Sequence, residues 1–262
     1  MSNIRISELG YSYFDTGVFS SLNFTLRKDK TLSIIGPSGS GKTTLLRILN
    51  GELPYDGSVL ISDVEVNENN FEELRSKIAV VYDTNEFFNE LVKDELRFSL
   101  ENLGINPKEI KNRIEELDEF FGIKKIFNKP IEILSTNDKT LVKILSYAIY
   151  FPEYIALDDL LIFLNERTKI LLLNYLNYKN IKLINVTSNI EDTLYTDYTL
   201  VLYNKINAID GKTLDVLKEE KILKRMGLDL PFYLDLSIQL KLYGLINRTY
   251  LNKEDLVKRL WK

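Results

Sequence analysis

The stretch TLSIIGPSGSGKTTLLRILN, residues 31–50, constrains this chain more than any other. Thr31 to Ile35 is a short apolar, β-prone run. Gly36-Pro37-Ser38-Gly39-Ser40-Gly41-Lys42-Thr43 follows, and Thr44 to Leu49 then reads as a helix. This is G-x-x-x-x-G-K-T between a strand and a helix, the setting in which the motif cradles phosphate. Its glycines let backbone N–H groups turn inward around phosphate oxygens where a Cβ would intrude. The helix beginning near Lys42 adds its positive end. Residues 36–44 are therefore the expected cofactor-binding set, with Lys42 reaching the β- and γ-phosphates and the Thr43 hydroxyl on Mg²⁺. A plain glycine-rich turn is disfavoured, because motif and context agree at every step.

Composition excludes several other classes. At 262 residues the chain can bury a large core. Its 45% apolar and 27% charged residues are ordinary for a soluble globular protein. Lys plus Arg total 34 against 38 Asp plus Glu, a net charge of −4, which argues against a binder dominated by nucleic-acid phosphates. No apolar run reaches the roughly 18 residues that span a bilayer, and no secretory leader opens the sequence. Cys and His are both absent, so disulfides, thiolate chemistry and any imidazole base, acid or γ-phosphate sensor are ruled out.

Along the chain, Ile4 to Leu9 alternates like a strand and leads into Gly10–Phe14. Phe19 to Leu26 alternates again, with Leu22, Phe24 and Leu26 on one face. Gly57 to Val66 reads as one further strand, Phe71 to Lys77 as a short helix and Ile78 to Tyr82 as an apolar strand ending at Asp83. Residues from about 84 to 150 are mainly helical, with Glu90–Asn102 and Pro107–Phe121 clearest. Pro107 near one end and Gly122 past the other follow the usual boundary asymmetry. A helix is expected from about Lys139 to Tyr150, a buried strand over Tyr154–Leu157, a helix over 166–178 and a strand over Ile181–Val186. Thr199–Tyr203 and Lys205–Asp210 form a hairpin around Asn204, and a helical tail divided by Pro231 follows.

The phosphate loop needs a carboxylate at a neighbouring strand end to hold Mg²⁺. Asp158 has that position, though a strand-capping surface Asp would look the same. Asp159 is placed to orient water, but stops one methylene, about 1–1.5 Å, short of a glutamate. A misplacement on the order of 1 Å costs about 10²-fold in rate. Tyr13 is a candidate for stacking on an adenine ring, with a half-buried core tyrosine as the equal alternative in a chain holding 15 tyrosines.

The order of these elements resembles an ATP-binding cassette (ABC) protein. More narrowly, Glu95-Leu96-Arg97-Phe98, Glu101-Asn102-Leu103-Gly104 and the tail run Leu223–Phe232 resemble the ATPase subunit of an energy-coupling-factor importer. The likeness covers almost the whole chain. It implies an α/β P-loop ATPase core with an antiparallel β subdomain, an inserted helical subdomain (about 84–150) and a helical C-terminal tail. On this reading residues 1–212 are the ATP-binding domain and 213–262 an extension for dimerisation or packing. The implied cofactors are ATP and Mg²⁺, with Asp158 and Thr43 at the metal. The implied partners are a second ATPase subunit, a heterodimer being favoured, an integral membrane coupling protein and a separate substrate-binding membrane subunit. Nucleic acid is not among them, and the chain would sit peripherally at the cytoplasmic face of the membrane.

Four departures from the family pattern stand out. Asp83 replaces a glutamine that senses Mg²⁺ and the attacking water. Asp159 replaces a glutamate, and Ser188 a histidine. The partner-facing L-S-G-G-Q becomes Leu134-Ser135-Thr136-Asn137-Asp138. Thr136 and Asn137 put side chains where glycines allow close approach to the partner's γ-phosphate, and Asp138 adds negative charge; Ser135 keeps a phosphate-facing hydroxyl. Deleting one transition-state donor commonly costs about 2.7–4 kcal/mol. The expectation is an ATP-binding importer subunit with impaired hydrolysis. The alternatives are a non-transport regulatory or assembly cassette clamped by ATP, and an active ATPase using Asp159, with Asp83 in an unusual role.

Overall fold

A computed structural model describes residues 2–84 and 86–261, without the side chains of Ser2 and Asn3. The outermost residues of the expected domain ranges, Met1 and Lys262, lie outside it. In chain order the elements are β1 (Ser2–Tyr13), β2 (Thr16–Arg27), β3 (Leu32–Ile35), α1 (Lys42–Leu49), β4 (Asp56–Ile61), β5 (Val64–Glu65), α2 (Phe71–Lys77) and β6 (Ile78–Val81). Then come α3 (Val92–Asn102), α4 (Pro107–Phe121), α5 (Thr136–Ala148), β7 (Tyr154–Asp158), α6 (Glu166–Tyr178), β8 (Lys182–Val186), β9 (Tyr198–Tyr203) and β10 (Ile206–Lys212). The tail holds α7 (Thr213–Leu217), α8 (Glu220–Arg225), α9 (Phe232–Leu242) and α10 (Lys253–Leu260).

Among the described residues the strands form two sheets. One is four-stranded and antiparallel, in the order β2-β1-β4-β5; the other is six-stranded, in the order β10-β9-β3-β8-β7-β6. In the second, β9, β3, β8, β7 and β6 run parallel and β10 closes one edge as an antiparallel hairpin. The two sheets are tied at that edge, where the Ser20 N–H donates to Lys205 O at 3.1 Å and Asn207 Nδ2 donates to Asn23 O at 2.7 Å.

The period-two alternation of the parallel strands sorts their side chains between two cores. Ile78, Val80, Tyr154, Ala156, Ile184 and Val186 face the antiparallel sheet and α1, whose Leu45, Leu46, Ile48 and Leu49 lie in the same cluster. Ala79, Val81, Ile155, Leu157 and Leu183 face the other way, against Leu96, Leu117, Val142, Leu145 and Leu172 of α3 to α6. The tail packs too. Leu223, Leu228, Leu230, Leu234 and Ile238 cluster with Ile35 and Val201.

Several expected boundaries move. The single strand read over Gly57–Val66 is a hairpin, β4–β5. Ser62 and Asp63 turn with φ of 50° and 66°, and the Ser62 hydroxyl donates to Glu153 Oε1 at 2.6 Å. β1 does not stop near Leu9 but runs to Tyr13, so Tyr13 ends a strand instead of sitting in a loop. The helix expected from Lys139 starts at Thr136, because Ser135 Oγ accepts from the Asp138 N–H and caps it. Similarly α3 begins at Val92, not Glu90, and Lys205 belongs to the β9–β10 turn.

Candidate functional site

Parallel strands put all their carboxyl ends on one edge, and β3, β8, β7 and β6 deliver loops there side by side. The loop from β3 spans Gly36 to Gly41. A Cβ on Gly36 would lie 2.4 Å from Leu202 O and 2.5 Å from Ser40 Oγ, and one on Gly41 2.8 Å from the Phe19 ring and Val18. Gly41 also has φ +96°, a region that L side chains avoid. Only glycine lets the loop close this tightly. Its Pro37 O accepts from the Ser40 N–H at 3.1 Å. Ser38 and Gly39 are exposed at the tip, and Thr44 is buried in the first turn of α1.

Lys42 Nζ donates to Gly36 O at 2.8 Å and Pro37 O at 3.2 Å, so the ammonium lies against the loop's own carbonyls. Burial pulls its pKa below the usual lysine value, opposed by the charges of Asp159 and then Asp158. Ser40 Oγ is buried without a hydrogen-bond partner, and no side chain caps α1. A desolvated cation, an orphan hydroxyl and an uncapped helix N-terminus at one glycine-lined loop fit a polyphosphate.

Asp158 shares strand parity with Tyr154 and Ala156, so its carboxylate turns to the α1 side of the sheet. There the Thr43 hydroxyl donates to Asp158 Oδ2 at 2.8 Å. Burial raises the Asp158 pKa; the Thr43 hydrogen bond opposes this, and the Asp159 charge adds to it. Among the described residues no three acidic or other ligating side chains gather into a cage. A divalent cation would rest on Thr43 and Asp158, with phosphate and water oxygens completing its shell, as Mg²⁺ prefers.

The other expected residues land as follows. Asp159 has φ 53°, and its Oδ1 accepts from the Ser188 N–H at 2.8 Å and from the Ser188 hydroxyl at 2.9 Å. Asp83 is exposed, just past the end of β6 and beside the end of β7. Tyr13 is 37% exposed, its ring edge-on to Tyr11 at 4.9 Å between centroids. Ser135 and Thr136 are exposed, away from the loop of Gly36 in sequence and on another element. Asn137 is engaged within the chain, its Oδ1 accepting from the Asn165 N–H at 2.9 Å and its Nδ2 donating to Asp138 Oδ1 at 3.2 Å. The apolar loop after Asp159 packs Leu160, Leu161 and Leu164 into the core.

Two contacts escaped sequence reasoning. One is the Asp159–Ser188 pair, whose members were read as separate losses. The other is Lys143, a buried lysine whose Nζ donates to Thr84 O and to Thr84 Oγ1 at 2.8 Å. A cation inside the otherwise apolar run Leu141-Val142-Lys143-Ile144-Leu145 was its signal.

Comparison with known proteins places these features in context. The sequence pattern of the family described as ABC transporter matches residues 19–161. The chain is 30% identical to the energy-coupling factor transporter ATP-binding protein EcfA1 of Mesomycoplasma hyopneumoniae, over 99% of this chain and 97% of the relative. It is 29% identical to the energy-coupling factor transporter ATP-binding protein EcfA of Malacoplasma penetrans, over 98% and 93% respectively. The solved structure of cbiO1 from Clostridium perfringens, described as part of the ABC transporter complex cbiONQ, superposes with a TM-score of 0.75. It shares 24% identity, covering 88% of this chain and 96% of that one, a likeness of fold.

Proposed function

Since the chain belongs to the ABC transporter family, we propose that it is the ATP-binding subunit of an energy-coupling-factor importer that holds Mg·ATP and turns it over slowly at its own site. The binding half of this reading is supported by the loop Gly36–Thr43, the Lys42 ammonium against it and the Thr43–Asp158 pair beside it. When bound, Mg·ATP supplies the phosphoanhydride and the cation that neutralises its charge. Lys42 provides a fixed positive charge, Thr43 and Asp158 the protein's cation ligands, and the glycines the close backbone approach.

The slow half is carried by one observation. Asp159 is shorter than the glutamate of the family pattern, and the same oxygen accepts both donors of Ser188. With Oδ1 taken by Ser188, the carboxylate is turned toward Ser188 and is left only Oδ2 for a water, and an enzyme base must reach its proton at about 2.6–3.2 Å. Asp83, a further carboxylate near the site where the pattern has a neutral amide, adds repulsion toward an anionic ligand.

The reading brings partners with it. A second, different ATPase subunit faces Ser135, Thr136, Asn137 and Asp138; an integral membrane coupling protein and a separate substrate-binding membrane subunit complete the importer. Nucleic acid has no part. Among the described residues no helix is long and apolar enough to cross a membrane, and we assign the chain to the cytoplasmic face of the membrane, held there by those subunits.

The test is ATP binding and phosphate release by the purified chain, alone and with copurifying partners, beside Lys42→Ala. We expect the wild type to bind Mg·ATP and Lys42→Ala to weaken binding about ten- to a hundredfold, the worth of a charge-assisted contact. Release by the chain alone should stay well below the ~1 s⁻¹ lower edge of ordinary enzyme turnover. The double change Asp159→Glu and Ser188→His should raise it. Fast release by the unaltered chain overturns the slow half, and failure to bind overturns both. Copurification with soluble proteins only would replace the importer by a regulatory cassette.

A further inference from the structure

We infer that Lys143 is a positioning residue of the nucleotide site: its buried ammonium pins the turn that carries Asp83 and sets where that carboxylate stands beside Asp158. The inference rests on the ATP-site reading above and concerns how that site is held.

Three observations converge on the turn. The Thr84 N–H donates to Tyr82 O at 2.9 Å, so Asp83 is the middle residue of a three-residue turn. Both flanks of that turn are fastened from elsewhere in the chain. On one side the Tyr82 hydroxyl donates to Glu52 Oε1 at 2.7 Å, and Glu52 lies in the turn three residues past the end of α1. On the other, Lys143 of α5 donates to both the carbonyl and the hydroxyl of Thr84. Beyond the turn the buried Glu95 carboxylate accepts from the Phe88 and Asn89 N–H groups at 3.0 and 2.9 Å, which holds the way out of the loop.

Register places the turn at the site. Val81 pairs with Leu157 in the parallel ladder, so Asp83, two residues past Val81, stands level with Asp158 and Asp159 at the sheet's carboxyl edge. At that edge the charge of Asp159, and more weakly that of Asp83, acts on Asp158. Lys42 serves the phosphate loop. Lys143 is a cation on the Asp83 side, where the charges of Asp83, Glu86 and Glu95 act on it and its Nζ lies 5.3 Å from the centre of the Phe87 ring. An ammonium costs free energy to bury, so a polar residue in this place needs the contacts it makes. Lys143 therefore does two things at once: it orders the turn through Thr84 and partly neutralises the carboxylate that the turn presents.

The experiment is a double-mutant cycle between Lys143→Met and Asp83→Asn in the full chain, with two readouts. Mg·ATP affinity is the first. Lys143→Met should weaken it about tenfold in the wild-type background and far less when Asp83→Asn has already removed the charge, a coupling of ordinary size for neighbouring groups. Equal weakening in both backgrounds means that Lys143 does not act through Asp83 and overturns the inference, while the ATP reading stands. Hydrogen exchange in the nucleotide-free chain is the second readout, and it is independent of ligand. Lys143→Met should speed exchange in the peptide around Asp83 and Thr84 about tenfold while leaving α6 unchanged; no change there overturns the inference even if the wild type binds no nucleotide. Thr84→Val, which removes only the hydroxyl acceptor, should reproduce both effects at smaller size and serves where Lys143→Met lowers the melting temperature strongly.

Discussion

Individual atoms decide the phosphate loop. At Gly36 a Cβ would meet the Leu202 carbonyl oxygen, a backbone atom of β9 that cannot swing aside. Gly39 is different: its φ of +77° is left-handed, yet nothing lies within 4 Å of the Cβ it lacks. The two glycines therefore predict different outcomes. Gly39→Ala should cost only the left-handed penalty, roughly 1 kcal/mol, and keep nucleotide binding. Gly36→Ala should distort the loop at an overpacking cost of about 1–3 kcal/mol and lose binding. Thermal melts and titration with a fluorescent nucleotide on both variants check this, and equal behaviour would refute the argument from backbone contact. The same scale explains Asp159. Asp tolerates the left-handed conformation better than most residues, and from that conformation its short carboxylate meets Ser188.

At the scale of elements, boundaries were legible where the signal is local. α4 starts at Pro107 behind Asn106, whose Oδ1 accepts from the Glu109 N–H at 2.9 Å, and ends at Gly122 with φ 66°. Proline, cap and glycine act within one turn of the residue that shows them, so the sequence reading found both ends. Asn106→Ala should cost about 1 kcal/mol, read as a lower melting temperature, while Asn106→Asp should keep the cap; no loss with alanine would mean that the capping bond carries nothing. The β4–β5 turn was not legible, because Ser62-Asp63 lacks the usual Asn-Gly signature. Its hydroxyl is tied to Glu153, 91 residues away, and no local window contains that partner. The early start of α5 was missed for a simpler reason. A serine ahead of a helix suits a phosphate contact and an N-cap equally, and here Ser135 Oγ caps α5.

Over the whole molecule, the strand order β3-β8-β7-β6 brings distant segments to one edge, and the tail docks its first half on the same sheet through Leu223 to Ile238. The tail's outer side is another matter. Phe232, Leu242 and Tyr243 at the two ends of α9 and Trp261 at the end of α10 are between 74% and 86% exposed, large apolar side chains open to solvent. We propose that this part of the tail packs on a partner ATPase subunit. Phe232→Ser with Trp261→Ser should shift sedimentation toward monomer and leave the melting temperature nearly unchanged, since exposed substitutions usually cost within about 0.5 kcal/mol. Unaltered association would remove the tail from the interface.

The phosphate loop was determined by the sequence alone, because glycine freedom, the Lys42 charge and the Thr43 hydroxyl act on neighbours within a few bonds. So were the apolar strands and the amphipathic helices, whose periodicity is written residue by residue. Tertiary structure alone decided which carboxylate meets which partner. Asp159 and Ser188 lie 29 residues apart and Lys143 and Thr84 lie 59 apart. Their meeting depends on the order in which parallel strands stack and on the face that α5 turns to the sheet. Those are set by how all the apolar faces are buried together, not by any stretch of sequence near the groups that end up in contact.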